Sequence, residues 1–250
     1  MGTLLEAKGL VKKYREGSVE SKAVDQVDLL ADQGDFLVIM GASGSGKTSL
    51  LHLIAGIDQA DSGTIQYARD GRQAELSRMG EPARTVFRRE NIGIVFQQHC
   101  LVPDLTVYEN ILLPVLLRKK RKEAGKESIL ELCGQFGLRD HVRKYPSQLS
   151  GGQQQRAAIL RAVINKPPLL LCDEPTGSLN SAQSEAVMEL LGKLNENGQT
   201  IILVTHDIKV AAKGKRILYI QDGRAAGELK LPEGKGREEA LSAFLQQRGW

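Results

Sequence analysis

The stretch Gly41-Ala42-Ser43-Gly44-Ser45-Gly46-Lys47-Thr48 decides the fold. It fits a pattern of glycine, four residues, then Gly-Lys-Ser/Thr. Glycine-permitted turns let successive backbone N–H groups converge on a phosphate chain. Lys47 adds a mobile positive charge for the outer phosphates, and Thr48 offers a hydroxyl to Mg²⁺. The flanks agree. Residues 36–40 (FLVIM) read as a buried strand, and residues 48–55 (TSLLHLIA) as a helix whose N-terminus carries partial positive charge. A chance glycine-rich turn could explain the eight residues alone, but not strand, loop and helix in that order.

A second stretch narrows the class. Leu149-Ser150-Gly151-Gly152-Gln153-Gln154-Gln155-Arg156 precedes an apolar helical run from Ala157 to Ile164. Ser150 can cap that helix, with Gln153 three residues on closing a capping box. The two glycines leave the helix mouth open to a close-approaching group. An ordinary capped helix is the alternative, and the better one if this motif stood alone.

Together these motifs resemble the nucleotide-binding subunits of ATP-binding cassette (ABC) transporters, and the resemblance spans nearly the whole chain. Residues 41–48, with Ser49 following, match the family's Walker A loop, and residues 149–156 its signature motif. The resemblance implies a head-to-tail homodimer. Ser150, Gly151, Gly152 and Gln153 of one chain would face the γ-phosphate held by the loop of the other, an isologous contact.

Composition is consistent with this. The length suits one domain, or a core with a small appended subdomain. About two-fifths of the residues are apolar, enough for a sizeable core. The net charge of +4 is small and mixed in sign, which argues against a dedicated nucleic-acid binder. The longest apolar stretch, Ile111 to Leu117, is too short to cross a bilayer and contains Pro114. No signal-peptide-like segment opens the chain. The expectation is a cytoplasmic protein, peripheral on the inner face of the cell membrane, with a permease on a separate chain. Cys100, Cys133 and Cys172 are odd in number and far apart. They form neither a disulfide framework nor a metal spacing, and Cys172 reads as core packing in a reducing compartment.

Along the chain, residues 3–39 read as short strands and turns, with punctuation at Gly17-Ser18 and Gly34-Asp35. Residues 62–67 and 93–96 are strand-like, and residues 78–92 are polar and basic. Thr106 and Glu109 form another capping box ahead of an apolar helix. The charged run 118–126 reads as a solvated helix end or loop. Residues 127–136 and 181–195 are helical, residues 169–172 and 201–204 strands. Residues 216–221 and 225–229 flank Asp222-Gly223 as a hairpin. Alternating strands and helices imply an α/β class with a parallel sheet and ligands beyond the strands' carboxyl ends. The expected architecture is a parallel-sheet P-loop NTPase core with an N-terminal antiparallel β subdomain and an inserted α-helical subdomain. The ATPase domain would cover 1–231, with the insert at about 98–158. A linker and short helix would cover 232–250, with Ala240, Leu241, Phe244 and Leu245 on one face that docks on the core.

ATP hydrolysis requires positioning, charge neutralisation and an oriented water. The apolar run 169–172 ends in two carboxylates. Asp173 matches the Walker B aspartate, which holds Mg²⁺ beside Thr48, and Glu174 the general base for the attacking water. Strand alternation points the two in different directions. His206, at a strand end, matches the switch histidine on the γ-phosphate. Gln97 matches the Q-loop glutamine, a contact for Mg²⁺ or the attacking water. Tyr14 resembles the aromatic that stacks on adenine, an interaction of roughly 1 kcal/mol. One departure stands out: Glu174 to Asn180 resembles the family's D-loop, which usually ends in aspartate where Asn180 stands.

Residues 41–51, 173–177 and 201–207 are similar to the branch serving macrolide export, lipoprotein release and peptide-antibiotic resistance. The resemblance implies an ATPase driving export or removal of an antimicrobial peptide or other amphiphile. Leu101 to Leu105 would be a docking surface for the permease, or equally a loop packed on the insert. The alternative function is a non-transporting ABC ATPase that signals to or assembles a membrane complex. A nucleic-acid-handling cassette would carry two cassettes or long heptads, and a pure binding module would not need Glu174.

Overall fold

Two long strands open the chain. They are β1 (Thr3–Glu16) and β2 (Val19–Asp32), not the several short ones expected. Their pairing slips register three times between Ala7 and Lys13, with Gly9 and Gln26 in left-handed conformations. Such bulges hide a long strand by breaking the two-residue alternation. The computed structural model describes residues 2–17, 19–69, 71–117 and 126–250. Most of the charged run 118–126 therefore lies outside the described residues.

After β3 (Phe36–Met40) come α1 (Lys47–Ala55), β4 (Ser62–Arg69) and β5 (Arg72–Glu75). Strands β2-β1-β4-β5, in that order, form an antiparallel sheet. Next are α2 (Glu81–Asn91), β6 (Ile92–Val95), α3 (Val107–Leu116), α4 (Lys126–Gln135) and α5 (Gly151–Val163). A break at residue 158 would cut α5. The chain continues with β7 (Leu169–Asp173), α6 (Ser181–Glu196), β8 (Thr200–Thr205) and the single turn α7 (Ile208–Ala211). It closes with β9 (Arg216–Gln221), β10 (Arg224–Lys230) and α8 (Arg237–Gln246). The second sheet runs β10-β9-β3-β8-β7-β6 and is parallel except for β10, as the α/β reading requires.

Strand alternation sorts the core into two layers. Phe36, Val38 and Met40 face one layer with Leu170, Cys172, Ile201 and Leu203. Helices α3 to α6 and α8 cover that face. Leu37 and Ile39 face the other with Leu169, Leu171, Ile202 and Val204, under α1 and the antiparallel sheet. Helix α1 buries Leu50, Leu51, Leu53 and Ile54, worth about 1.5–3 kcal/mol each. This anchors the loop that precedes it. The tail helix docks as expected, through Leu241, Phe244 and Leu245.

Helix α2 was not legible as a helix because it buries no residue. It is organised by charge instead: Glu81 pairs with Arg84 at 2.6 Å and Arg88 at 2.9 Å.

Candidate functional site

The loop 41–48 sits where the sequence puts it, between β3 and α1 at the carboxyl end of the parallel sheet. Close packing dictates two of its glycines. A Cβ on Gly41 would lie 2.2 Å from the Ile220 carbonyl oxygen. Gly46 has φ +99°, and a Cβ there would lie 1.9 Å from the Ala23 carbonyl oxygen. Gly46 caps α1 with no side-chain partner, and the first turn holds no acidic residue. The orphan N–H groups there are directed at whatever anion the loop holds.

Lys47 folds back, its Nζ donating to the Ala42 carbonyl at 2.7 Å. Burial lowers the ammonium below its usual range, and the Glu174 and Asp173 carboxylates pull it back up. A half-desolvated cation beside two carboxylates is suited to meet a polyphosphate.

The carboxylates diverge as expected. Asp173 Oδ1 accepts from Thr48 Oγ1 at 3.2 Å. Burial pushes its pKa up, and the Thr48 bond pulls it down. The next residue turns away: Glu174 adopts φ +47° and its N–H donates to the Val204 carbonyl at 3.0 Å. Its Oε1 lies 2.7 Å from His206 Nδ1. The Glu174 side chain is 17% exposed and that of His206 62%, so the pair forms the wall of an open cleft.

Asp173 has a consequence for stability. Its folded pKa lies above the ordinary carboxylate value, so the ionised form opposes folding at neutral pH. That penalty fades as pH falls through the folded pKa. Asp173→Asn keeps an acceptor for Thr48 and removes the charge. It should raise the melting temperature of nucleotide-free protein at pH 7 by roughly 2–4 °C, with the difference narrowing as pH falls through the folded pKa. A lower melting temperature than wild type in calorimetry would refute this.

Gln97 sits beside the loop that follows Glu174. It follows β6 and rests against Gly177, where a Cβ would meet its Nε2 at 2.7 Å. Ser178 Oγ donates to its carbonyl at 3.3 Å. The structure thus ties Gln97 to the loop after Glu174 and gives it no hydrogen bond to Asp173 or Glu174 among the described residues. Tyr14 is exposed, donating from its hydroxyl to Asp58 at 3.0 Å with Lys12 Nζ 5.3 Å above its ring. Sequence reading missed that trio because Asp58 comes from the loop after α1.

The second helix mouth is built as a capping box. Gln153 N–H donates to Ser150 Oγ at 3.4 Å, and Ser150 N–H to Gln153 Oε1 at 2.9 Å. On the side of their missing Cβ atoms, Gly151 and Gly152 pack against this chain's own residues. A Cβ at Gly152 would lie 3.0 Å from Gln183 Cγ, and one at Gly151 3.2 Å from Leu179 Cδ2. Among the described residues no hydrogen bond joins residues 149–153 to the loop 41–48. Asn180 caps α6, accepting from Gln183 N–H at 2.9 Å.

Of the two readings of segment 101–105, the packed loop describes Leu101 and Leu105. Leu101 packs on the core and Leu105 is half-buried. The buried Asn110 side chain ties Val102 N–H, Val102 O and Leu105 O into one loop. Only Val102, Pro103 and Asp104 are exposed.

Known proteins share this fold. The family model described as ABC transporter matches residues 24–177. A dimeric structure of the ATP-binding cassette MJ0796 in a post-hydrolysis state, bound to ADP and Pi, is 38% identical. The match covers 92% of this chain and all of that one, with a TM-score of 0.82. A second dimeric structure of MJ0796, described as a bacterial ABC transporter cassette, is 39% identical over the same shares with the same TM-score. CbiO1 from Clostridium perfringens, part of the ABC transporter complex cbiONQ, is 25% identical. That match covers 100% of this chain and 94% of that one, with a TM-score of 0.80.

Proposed function

The chain belongs to the ABC transporter family as an ATPase cassette, and from that premise we propose that it hydrolyses ATP in a head-to-tail homodimer to drive a separate membrane permease. The observation that carries the reading is the double convergence at the loop, Thr48 on Asp173 and Glu174 on His206.

In this reading residues 41–49 bind the phosphates, with Lys47 on the outer ones and the α1 N-terminus beneath them. Thr48 and Asp173 hold Mg²⁺; hydroxyl and carboxylate are the hard oxygen donors it takes. Held there, Mg²⁺ would supply positive charge to offset the negative charge developing on the phosphates. Glu174 accepts the proton of the attacking water while oxygen attacks the γ-phosphorus and ADP leaves. His206 orients Glu174 and meets the γ-phosphate. Gln97, seated on the loop after Glu174, reports the state of that loop to the permease side. Tyr14 stacks on adenine. Ser150 to Gln153 serve the partner's nucleotide, which is consistent with their separation from loop 41–48 within one chain. In this division residues 1–231 are the cassette and 232–250 an appended helix.

No described helix is long and apolar enough to cross a membrane. In our reading the pore is supplied by another chain, which accords with CbiO1 being part of the cbiONQ complex, and the cassette sits on the inner face of the membrane. The cargo we assign is an antimicrobial peptide or other amphiphile. What supports it is the similarity of residues 41–51, 173–177 and 201–207 to the exporter branch. The exposed tip at Val102 is the docking point. Affinity purification of the tagged chain from native membranes should retain a permease. Val102→Asp should lose it while basal ATPase persists. If no membrane protein co-purifies and no cargo moves in vesicles, the non-transporting alternative takes over.

Asn180 sets a further expectation. Asn and Asp cap helices about equally well, so Asn180→Asp should leave α6 intact. The added charge faces the dimer contact. Turnover should change while ATP affinity stays within about twofold. A large affinity change in equilibrium binding would contradict this.

A further inference from the structure

The last residues of the chain return to the phosphate loop. Helix α8 ends in a left-handed Gly249 (φ +78°), with Gly249 N–H donating to Gln246 O at 3.3 Å and Trp250 N–H to Leu245 O at 3.2 Å. This paired closure is a Schellman motif, and it fixes the direction in which residue 250 leaves the helix. Arg248 locks the turn from outside. Its guanidinium stacks 3.7 Å from the Phe244 ring centroid and donates to the Phe244 carbonyl at 2.9 Å.

The direction fixed is towards the loop. Trp250 meets Tyr219 edge to face at 6.0 Å, and Tyr219 meets Phe244 likewise at 6.5 Å. Tyr219 is the register partner of Met40, the residue immediately before the loop. Trp250 and Tyr219 form one wall of a cleft of about 430 Å³ whose other wall is Ala42, Ser43, Gly44 and Ser45. Ser45 is 7% exposed, and its hydroxyl has no partner among the described residues. Trp250, the only tryptophan, stays 41% exposed at this spot, although a large apolar side chain gains by burial elsewhere.

We propose that the stack Phe244–Tyr219–Trp250 is a positioning element of the nucleotide site, holding loop 42–45 in its phosphate-binding shape from outside. The inference rests on the cassette reading and adds a residue that no loop motif contains. Trp250 faces the loop across this cleft, and neither Asp173 nor Glu174 lines it. Loss of Trp250 should therefore act on nucleotide affinity and KM, and leave kcat nearly unchanged. The loop in turn should alter the indole's surroundings when phosphates fill it.

The test uses the full chain and ADP with Mg²⁺ as the probe. Tryptophan emission should change saturably over the same ADP range as the heat of binding in calorimetry. Trp250→Ala should weaken ADP binding and raise the KM for ATP by about fivefold, the scale of one ring contact. Trp250→Phe should recover most of the affinity. Normal ADP heat with unchanged emission, and Trp250→Ala affinity within about 1.5-fold of wild type, would overturn the inference while leaving the cassette reading intact. Absence of any ADP heat in wild type would overturn both.

Discussion

Glu174→Gln is expected to slow ATP hydrolysis by about 10²–10⁴-fold, the range that a positioned general base contributes, while ATP binding persists. The geometry makes the substitution a clean one. The backbone at residue 174 is held by its N–H bond to Val204 O and by Gly177 N–H donating to Glu174 O at 3.0 Å. An amide is nearly isosteric with the carboxylate and can still bond His206 Nδ1. What it lacks is the capacity to take a proton. The phosphate loop, Lys47 and Thr48 are untouched, so nucleotide stays bound and uncleaved. In the proposed dimer this leaves two chains closed on ATP. Size-exclusion chromatography in Mg-ATP should show Glu174→Gln as a long-lived dimer and wild type as mostly monomer. Turnover within about threefold of wild type would remove Glu174 from the role of base.

This pair of carboxylates also shows what a sequence can carry. Four buried apolar residues before Asp173 announce a strand, and strand geometry then sends consecutive side chains apart. Local rules therefore reach the strand and the divergence of its two carboxylates, whereas the roles of Thr48, Asp173, Glu174 and His206 follow from the family resemblance and the Glu174–His206 contact only from the structure. The capping boxes at Thr106 and Ser150 were equally legible, because each closes within four residues. The hairpin at Asp222-Gly223 was too, since both residues adopt the positive φ its turn demands.

Legibility fails where the partner is remote or the pattern is broken. Helix α2 confines its apolar face to Ala83, Val86 and Phe87, a single short cluster among charged residues in which no repeat can show. The bulges in β1 and β2 interrupt alternation, so two strands of 14 residues each read as fragments. Gly152 packs so closely on Gln183 of α6, the next helix in the chain, that a Cβ would press on it. No local rule reports that contact. The same holds for Trp250 beside Ser43, and for Leu101, whose burial depends on Asn110 folding the loop inward.

Gly46→Ala carries the other large expected effect, a loss of nucleotide affinity of more than about 100-fold. Two independent obstacles meet at this position. With φ at +99° an L side chain is strained, at a cost of about 1–3 kcal/mol. The added methyl would also sit 1.9 Å from the Ala23 carbonyl oxygen. That oxygen belongs to backbone, so no rotamer change relieves the clash. Ala23 is further pinned because Asp25 N–H donates to Gly223 O at 2.8 Å and Gly223 N–H to Ser45 O at 3.0 Å. Loop, hairpin turn and β2 form one backbone-bonded layer, in which a single bond, Gly223 N–H to Ser45 O, ties the turn to the loop. The loop must therefore open, turning the N–H groups at the start of α1 away from the phosphates. Gly44→Ala separates the two obstacles. Gly44 has φ +78° with open space around its Cα, so alanine meets only the backbone penalty of about 1–2 kcal/mol. It should lower the melting temperature by several degrees at 2–4 °C per kcal/mol and keep measurable ATP affinity. Equal ATP affinity of the two variants in calorimetry would mean that contact with Ala23 does not shape the phosphate site.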